Sequence, residues 1–215
     1  MDARLTEISL SEALRYVGVR GPADETLMAD MQRCAEKLRE MARPRACWRL
    51  FPLREDGLLE GTALRLEGAD IREFLSGADQ VILMAATLGA EAETLLQRSQ
   101  RQNMADAILL DALASAAIEN VCDNLCEDLA REFFPRQLTS RFSPGYGDFP
   151  LEQQGMLCAV LNVNRALGIT LTPGGLMIPQ KSVTAVIGVS EEPGKRLAGC
   201  ATCQQADQCQ YCRLK

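Results

Sequence analysis

The sequence predicts an α+β fold: a mixed, largely antiparallel twisted sheet flanked by helices, with a long central helix. Helical and strand-like patterns alternate without a regular strand-helix-strand period, which disfavours a doubly wound sheet. Strand-like segments 46–52 and 58–66 are separated by the turn signal Glu55-Asp56-Gly57, which favours an antiparallel pair. A helical pattern runs from about Met104 to Phe134.

The first hundred residues contain three further helical patterns and one apolar strand pattern. Segments 9–18 and 23–42 have apolar residues at helical spacing, with Ser9 or Ser11 as a possible cap of the first. Segment 80–100 begins as an apolar run and changes at Gly89 into a helical pattern. We therefore expect a buried strand that leads into a packed helix.

After the long helix, both periodicities vanish between residues 135 and 150, and Ser, Pro, Gly, Arg and aromatic residues predict a loop. A helix is predicted over 151–167, a turn region over 171–180 and a strand over 182–190. The predicted organisation is one domain over residues 1–196, whose first 45 residues are helical, and a Cys-rich tail over 197–215.

Composition narrows the classes of function. The chain has 215 residues, of which 47% are hydrophobic, enough for a substantial core. The formal net charge is -6, and no basic cluster with interleaved aromatic residues is present, so we expect no nucleic-acid partner. The sequence has neither a signal-peptide pattern nor an apolar run of membrane-spanning length, which predicts a cytoplasmic protein with no membrane partner.

Histidine is absent and cysteine is abundant: the chain has no His and nine Cys. The lack of His excludes His-activated nucleophiles and the His-containing zinc catalytic sites from this chain. Cysteines in a protein without an export signal indicate thiols or metal ligands more than disulfides. Cys34, Cys47 and Cys158 lie in apolar patterns and are predicted to be buried, whereas Cys122 and Cys126 either line a pocket or belong to the core.

The loop from Arg141 to Asp148 contains residue types suited to an amino-acid or nucleoside ligand. Arg141 offers a planar cation for a carboxylate, and Gly145 permits close approach of a ligand to the backbone. Tyr146 offers a ring face and a hydroxyl group. The alternative is an ordinary Pro-Gly turn in which Arg141 pairs with a protein carboxylate.

Residues 141–190 resemble the reactivation domain of cobalamin-dependent methionine synthase. The family signature is Arg, two residues, Pro-Gly-Tyr, a helix, and then Met-x-Pro-x-x-Ser-Val. Here it reads Arg141, Pro144, Gly145, Tyr146, and later Met177, Pro179, Ser182 and Val183. In place of a second Tyr of the family, the chain has Glu-Glu-Pro-Gly-Lys-Arg at 191–196, so a looser pocket is expected on that side.

The resemblance implies a binding site for S-adenosylmethionine. It assigns ligand contacts to Glu119 on the long helix and to Arg141, Ser143, Gly145 and Tyr146 in the loop. The alternative role of Glu119 is a pair with Arg141 or another protein cation that involves no ligand.

The tail contains two Cys-x-x-Cys pairs: Cys200 with Cys203, and Cys209 with Cys212. Such pairs predict that the four thiolates bind one metal centre. An iron-sulfur cluster is the first interpretation and a zinc ion is the second. A thiol-disulfide relay is the third interpretation.

The resulting hypothesis is an accessory protein that binds S-adenosylmethionine and serves reductive reactivation of an oxidised corrinoid. The chain lacks a cobalamin-binding Asp-x-His-x-x-Gly motif, so we expect cobalamin to be bound by a partner. That partner is either a corrinoid-binding protein or the methionine synthase core. A reductant protein is a further expected partner. The alternatives are a docking or assembly module without turnover, and an iron-sulfur electron carrier on the same fold.

Overall fold

Most of the long helices and strands follow the sequence patterns in the computed structural model, which describes residues 2–19 and 21–191. The helices of this part are α1 (Leu10–Val17), α2 (Glu25–Met41), α3 (Ala69–Phe74), α4 (Ala90–Gln102), α5 (Met104–Glu132), α6 (Gln153–Leu161) and α7 (Val163–Leu167). The strands are β1 (Arg45–Pro52), β2 (Gln80–Thr87), β3 (Gln137–Leu138), β4 (Thr170–Leu171), β5 (Met177–Ile178) and β6 (Ser182–Ser190).

Polar side chains cap three of the predicted helices. The Ser9 hydroxyl accepts the Glu12 backbone N–H and begins α1, and Asp24 accepts the Leu27 N–H at 2.7 Å and begins α2. Asn103 accepts the N–H groups of Ala105 and Asp106 at the start of α5. These side chains satisfy donors that have no partner within a helix, so each helix begins where its cap stands in the sequence.

Four strands form an antiparallel sheet in the order β1-β2-β6-β3. In its middle, Met84 of β2 lies between Trp48 of β1 and Ala185 of β6. The predicted fold class, an α+β domain with a largely antiparallel sheet and a long helix, is confirmed.

Helices cover both faces of this sheet. Ile82 and Met84 face a core built with α1, α2, α4 and α5, whereas Val81 and Leu83 face a second core built with α3, α6 and α7. Because successive residues of a strand point to opposite faces, a strand buried on both faces is apolar throughout. This explains why β2 lacks the usual alternation of apolar and polar residues.

The strand predicted over 58–66 is wrong. Gly61 has a φ of +74°, and the Leu59 N–H donates to the Leu64 carbonyl, so the segment contains a turn of its own. Only isolated bridges remain, between Leu53 and Leu59 and between Leu58 and Arg65. The antiparallel partner of β1 is β2, which lies further along the chain.

The helix predicted over 151–167 consists of α6 and α7, separated at Asn162. Asn162 has a φ of 52°, a left-handed conformation that Asn tolerates better than most residues. The turn region predicted after this helix is a small hairpin of β4 and β5. It leads directly into β6, the strand beside which the candidate site lies.

Candidate ligand cleft

A cleft with a volume of about 530 Å³ lies between α5, the loop after β3 and the first half of β6. Its walls include Glu119, Asp123 and Cys126 of α5, Arg141, Ser143 and Tyr146 of the loop, and Ser182, Val183 and Thr184 of β6. Volumes of 300 to 1,000 Å³ are typical of small-molecule sites. The cleft is therefore large enough for a nucleoside or an amino-acid derivative.

The cleft lies where β6 loses its outer neighbour. The strand β3 pairs only with Val189 and Ser190, and the last bridge on this side joins Phe142 to Val186. The chain then turns away at Pro144. Thr184 is the next residue of β6 whose backbone groups point toward the β3 side of the sheet, and it lines the cleft. An unpaired strand edge presents backbone donors and acceptors to whatever lies beside it.

Arg141 is held by two carboxylates one helical turn apart. Its Nη2 donates to Glu119 Oε2 at 2.7 Å, and its Nη1 donates to Asp123 Oδ1 at 2.8 Å. The Arg141 side chain is only 19% exposed, whereas Glu119 is 48% and Asp123 is 65% exposed. The cation thus lies at the base of the cleft, and the two anions lie toward solvent.

Among the described residues, three of the five N–H groups of this guanidinium have partners, since Nη1 also contacts the Cys126 sulfur at 3.8 Å. The other two N–H groups have no hydrogen-bond partner among the described residues. The predicted alternative, a pair between Arg141 and Glu119, is present in the structure, and it coexists with the cleft.

The two cysteines of α5 differ in position. Cys126 lines the cleft, and burial raises the pKa of its thiol despite the opposing effect of Arg141. Cys122 belongs to the core, where burial raises its pKa to about 12. Both are neutral thiols near pH 7. Cys34 and Cys158 are buried as predicted, and Cys47 is half-buried.

A tight turn presents Tyr146 at the mouth of the cleft. The Tyr146 N–H donates to the Ser143 carbonyl, and the Gly145 N–H donates to the Phe149 carbonyl at 2.8 Å. Gly145 has a φ of +91°, which the second central residue of a Pro-Gly turn requires. The Gly145 amide is therefore used inside the loop, where Gly145 shapes the turn and is not itself part of the cleft wall.

Tyr146 remains 58% exposed, and its ring meets that of Phe142 edge-on at 6.0 Å. Partial desolvation of the phenol, followed by the nearby charge of Glu119, raises the pKa of Tyr146. The phenol is neutral at physiological pH. Tyr146 thus lines the cleft with a neutral aromatic side chain that carries a hydrogen-bonding group.

The far end of the loop is fixed to α3 by reciprocal hydrogen bonds. Asp148 accepts the backbone N–H groups of Ala69 and Asp70 at 2.5 and 2.9 Å, and Asp70 accepts the Asp148 N–H at 3.1 Å. These bonds lower the pKa of Asp148. At Gly147, with a φ of +53°, a Cβ atom would collide with the Asp70 carboxylate. Gly147 therefore allows a close approach between two protein segments.

The cleft brings together four of the five predicted ligand residues, namely Glu119, Arg141, Ser143 and Tyr146. Sequence reasoning did not single out Asp123 or Thr184. A signal for Asp123 was present, because a carboxylate four residues after Glu119 lies on the same face of a helix. The exposed edge at Thr184 has no comparable signal, since it depends on where a neighbouring strand ends.

The four tail cysteines, Cys200, Cys203, Cys209 and Cys212, lie outside the described residues. In residues 2–19 and 21–191, no group of three or more His, Cys, Asp or Glu side chains is arranged to hold a metal ion. No helix of this part of the chain has the length and apolar character needed to cross a membrane.

Fold and cleft together define an α+β domain with helices on both faces of an antiparallel sheet and a ligand-sized cleft at its open edge. A solved structure with this fold is the reactivation domain of MetH, determined with AdoHcy bound. It is 21% identical in sequence, with a TM-score of 0.60, and the match covers 83% of this chain and 73% of that chain. No protein-family model matches the sequence, and no curated protein matches it significantly. The resemblance stated from the sequence is thus confirmed at the level of the fold.

Proposed function

We propose that the cleft binds S-adenosylmethionine. The observation that carries this proposal is the Arg141 guanidinium at the base of a 530 Å³ cleft, clamped by two carboxylates and with donors to spare. A solved domain of the same fold, that of MetH, is bound to AdoHcy, which supports a related ligand here.

The charges of the cleft suit the charges of the ligand. The ligand carboxylate can accept hydrogen bonds from the free donors of Arg141, because a guanidinium is a planar fork that matches a carboxylate. Glu119 can accept a hydrogen bond from the ammonium group of the ligand. It lies 2.7 Å from Arg141, which is expected to bind the neighbouring carboxylate of the ligand. Tyr146 can stack on the adenine or face the sulfonium with its ring. Ser143 and the turn at Gly145 would border the ligand.

We further propose that the bound ligand serves reductive methylation of a corrinoid on a partner, either a corrinoid-binding protein or the methionine synthase core. The partner's cobalamin supplies the nucleophilic cobalt, after a reductant protein has delivered one electron. The residues of this chain bind the methyl donor and orient it, so their contribution is positioning and not acid-base chemistry. The methyl group passes from sulfur to cobalt, and S-adenosylhomocysteine leaves.

Calorimetric titration tests the binding step. We expect saturable binding of S-adenosylmethionine to the intact chain and loss of that binding in Arg141→Ala. Arg33→Ala is the matched control, because Arg33 also pairs with two carboxylates but does not line the cleft. Absence of binding to the unmodified chain refutes the proposal.

A second candidate function is a docking or assembly module for a corrinoid protein that works without a ligand. It is favoured by the observation that Arg141 already has two protein carboxylates as partners. This module would still bind the corrinoid partner, and Arg141→Ala would leave that association unchanged.

For the segment 197–215 we propose a metal site formed by Cys200, Cys203, Cys209 and Cys212, with an iron-sulfur cluster preferred over zinc. A cluster would give the electron a route to the corrinoid, or would make the chain an electron carrier. Anaerobic absorption spectra distinguish an iron-sulfur cluster from zinc, because a cluster has visible charge-transfer bands and zinc has none. If replacement of all four cysteines by Ser leaves reductive methylation of the partner unchanged, the electron route is excluded.

A further inference from the structure

The cleft has an unbalanced negative charge. Its charged wall residues are one cation, Arg141, and two anions, Glu119 and Asp123. Lys181, which precedes β6, does not restore the balance, because its ammonium group pairs with Asp111 at 2.8 Å and with the Ser115 hydroxyl at 2.9 Å. The net charge of the cleft wall is therefore that of one carboxylate.

This excess matches one ligand of a reaction pair better than the other. Near pH 7 S-adenosylmethionine has a sulfonium, an ammonium and a carboxylate, and is a net cation. Its product S-adenosylhomocysteine lacks the sulfonium charge and is neutral overall. An extra carboxylate beside the ligand therefore stabilises the substrate and gains nothing from the product.

Asp123 and Glu119 are placed for different tasks. Each carboxylate contacts one terminal nitrogen of Arg141, but Glu119 is 48% exposed and Asp123 is 65% exposed, so Asp123 is the one more open to solvent. If Arg141 and Glu119 hold the two charged groups of the ligand's amino-acid part, the negative charge of Asp123 remains for the sulfonium.

On the basis of the proposed function, we propose that Asp123 is the specificity-determining residue by which the cleft prefers a sulfonium ligand to the uncharged thioether product. The preference works through charge and not through contact with the methyl group. It favours release of the product once the methyl group has left, because the loss of the ligand's positive charge removes an attraction.

The experiment compares dissociation constants of S-adenosylmethionine and S-adenosylhomocysteine for the intact chain, Asp123→Asn and Asp128→Asn. We expect Asp123→Asn to lower the preference for the sulfonium about tenfold, the change in an equilibrium constant that corresponds to 1.4 kcal/mol. Asp128→Asn is the matched control, since it removes a negative charge from the same helix at a residue that pairs with Arg4 and Arg131 and does not line the cleft.

Two measurements separate charge from shape and keep the test independent of variant folding. A ligand analogue with a protonated amine in place of the sulfonium should lose as much affinity as S-adenosylmethionine in Asp123→Asn. In the unmodified chain, the preference for the sulfonium should decrease as salt rises, because exposed charges are screened. A preference that is unchanged in Asp123→Asn, or insensitive to salt, overturns the role of Asp123 and leaves the binding proposal intact. If neither ligand binds the unmodified chain, both proposals fail.

Discussion

Two arginines of this protein each lie between two carboxylates, and their surroundings differ. Arg33 of α2 contacts both oxygens of Asp106 at 2.8 Å and Asp30 at 2.9 Å, and Lys37 adds a second cation 3.6 Å from Asp106. This cluster, which we call the α2–α5 cluster, contains as many cations as anions. It is a closed link between two helices.

The cluster around Arg141 has the opposite arrangement. Here the arginine is the least exposed member, at 19%, and each carboxylate contacts one of its terminal nitrogens. No second cation balances the charge among the residues that line the cleft. A cavity lies beside it, whereas the α2–α5 cluster lines none of the main cavities found in the described part of the chain. An arginine between two carboxylates therefore links two helices at Arg33 and is a candidate ligand-binding group at Arg141. The two clusters differ in charge balance and in whether a cavity lies beside them.

The largest expected effect is on ligand affinity, and it separates two variants in which arginine is replaced by lysine. Arg141→Lys should weaken S-adenosylmethionine binding about 10- to 100-fold, the range that corresponds to about 1.5–3 kcal/mol for a hydrogen bond to a charged group. A lysine keeps the charge but loses the planar fork. Arg33→Lys should leave the affinity unchanged. Equal losses of affinity in both variants would contradict the distinction, and calorimetric titration measures them.

A smaller effect, on folding stability, should show the reverse order. Asp106→Asn should lower the free energy of unfolding by about 1 to 2 kcal/mol, because a side chain only 15% exposed loses a two-point ion pair. Asp123→Asn, at an exposed site, should change it by less than about 0.5 kcal/mol. Urea unfolding followed by circular dichroism measures both. A larger loss of stability in Asp123→Asn than in Asp106→Asn would show that the carboxylates around Arg141, and not the α2–α5 cluster, stabilise the fold.

The sequence patterns were sufficient for most of the fold because its main elements have strong local signals. The long helix α5 begins at a capping Asn103, and β2 is apolar over its whole length. Segment 58–66 misled because its apolar residues are spaced like a strand, although the positive φ of Gly61 folds the segment back on itself. The short helix α3 escaped prediction because Asp148, distant in sequence, caps it.

The candidate site was predictable in its loop and less so in its surroundings. The residue types at Arg141 and Tyr146 suit anion binding and stacking, but they fit an ordinary Pro-Gly turn as well, and the family resemblance was needed to favour a ligand site. The spare charge at Asp123 and the open edge at Thr184 depend on how α5 and β6 pack beside that loop. Such features arise from tertiary geometry, and a pattern within one segment does not contain them.

The smallest expected effect concerns pH. Hydrogen bonds from Arg33 hold the pKa of the Asp106 carboxyl below its ordinary value of 3.8. A carboxyl group with a lowered pKa in the folded protein stabilises it above its ordinary pKa, and this contribution is lost as pH falls through the folded value. The stability gap between the unmodified chain and Asp106→Asn should therefore be constant from pH 7 to 5 and shrink below pH 3.8. Urea unfolding across this range measures the gap. A gap that closes already at pH 6, or that persists after Asp106 has been protonated, would mean that the charge of Asp106 does not hold α2 to α5.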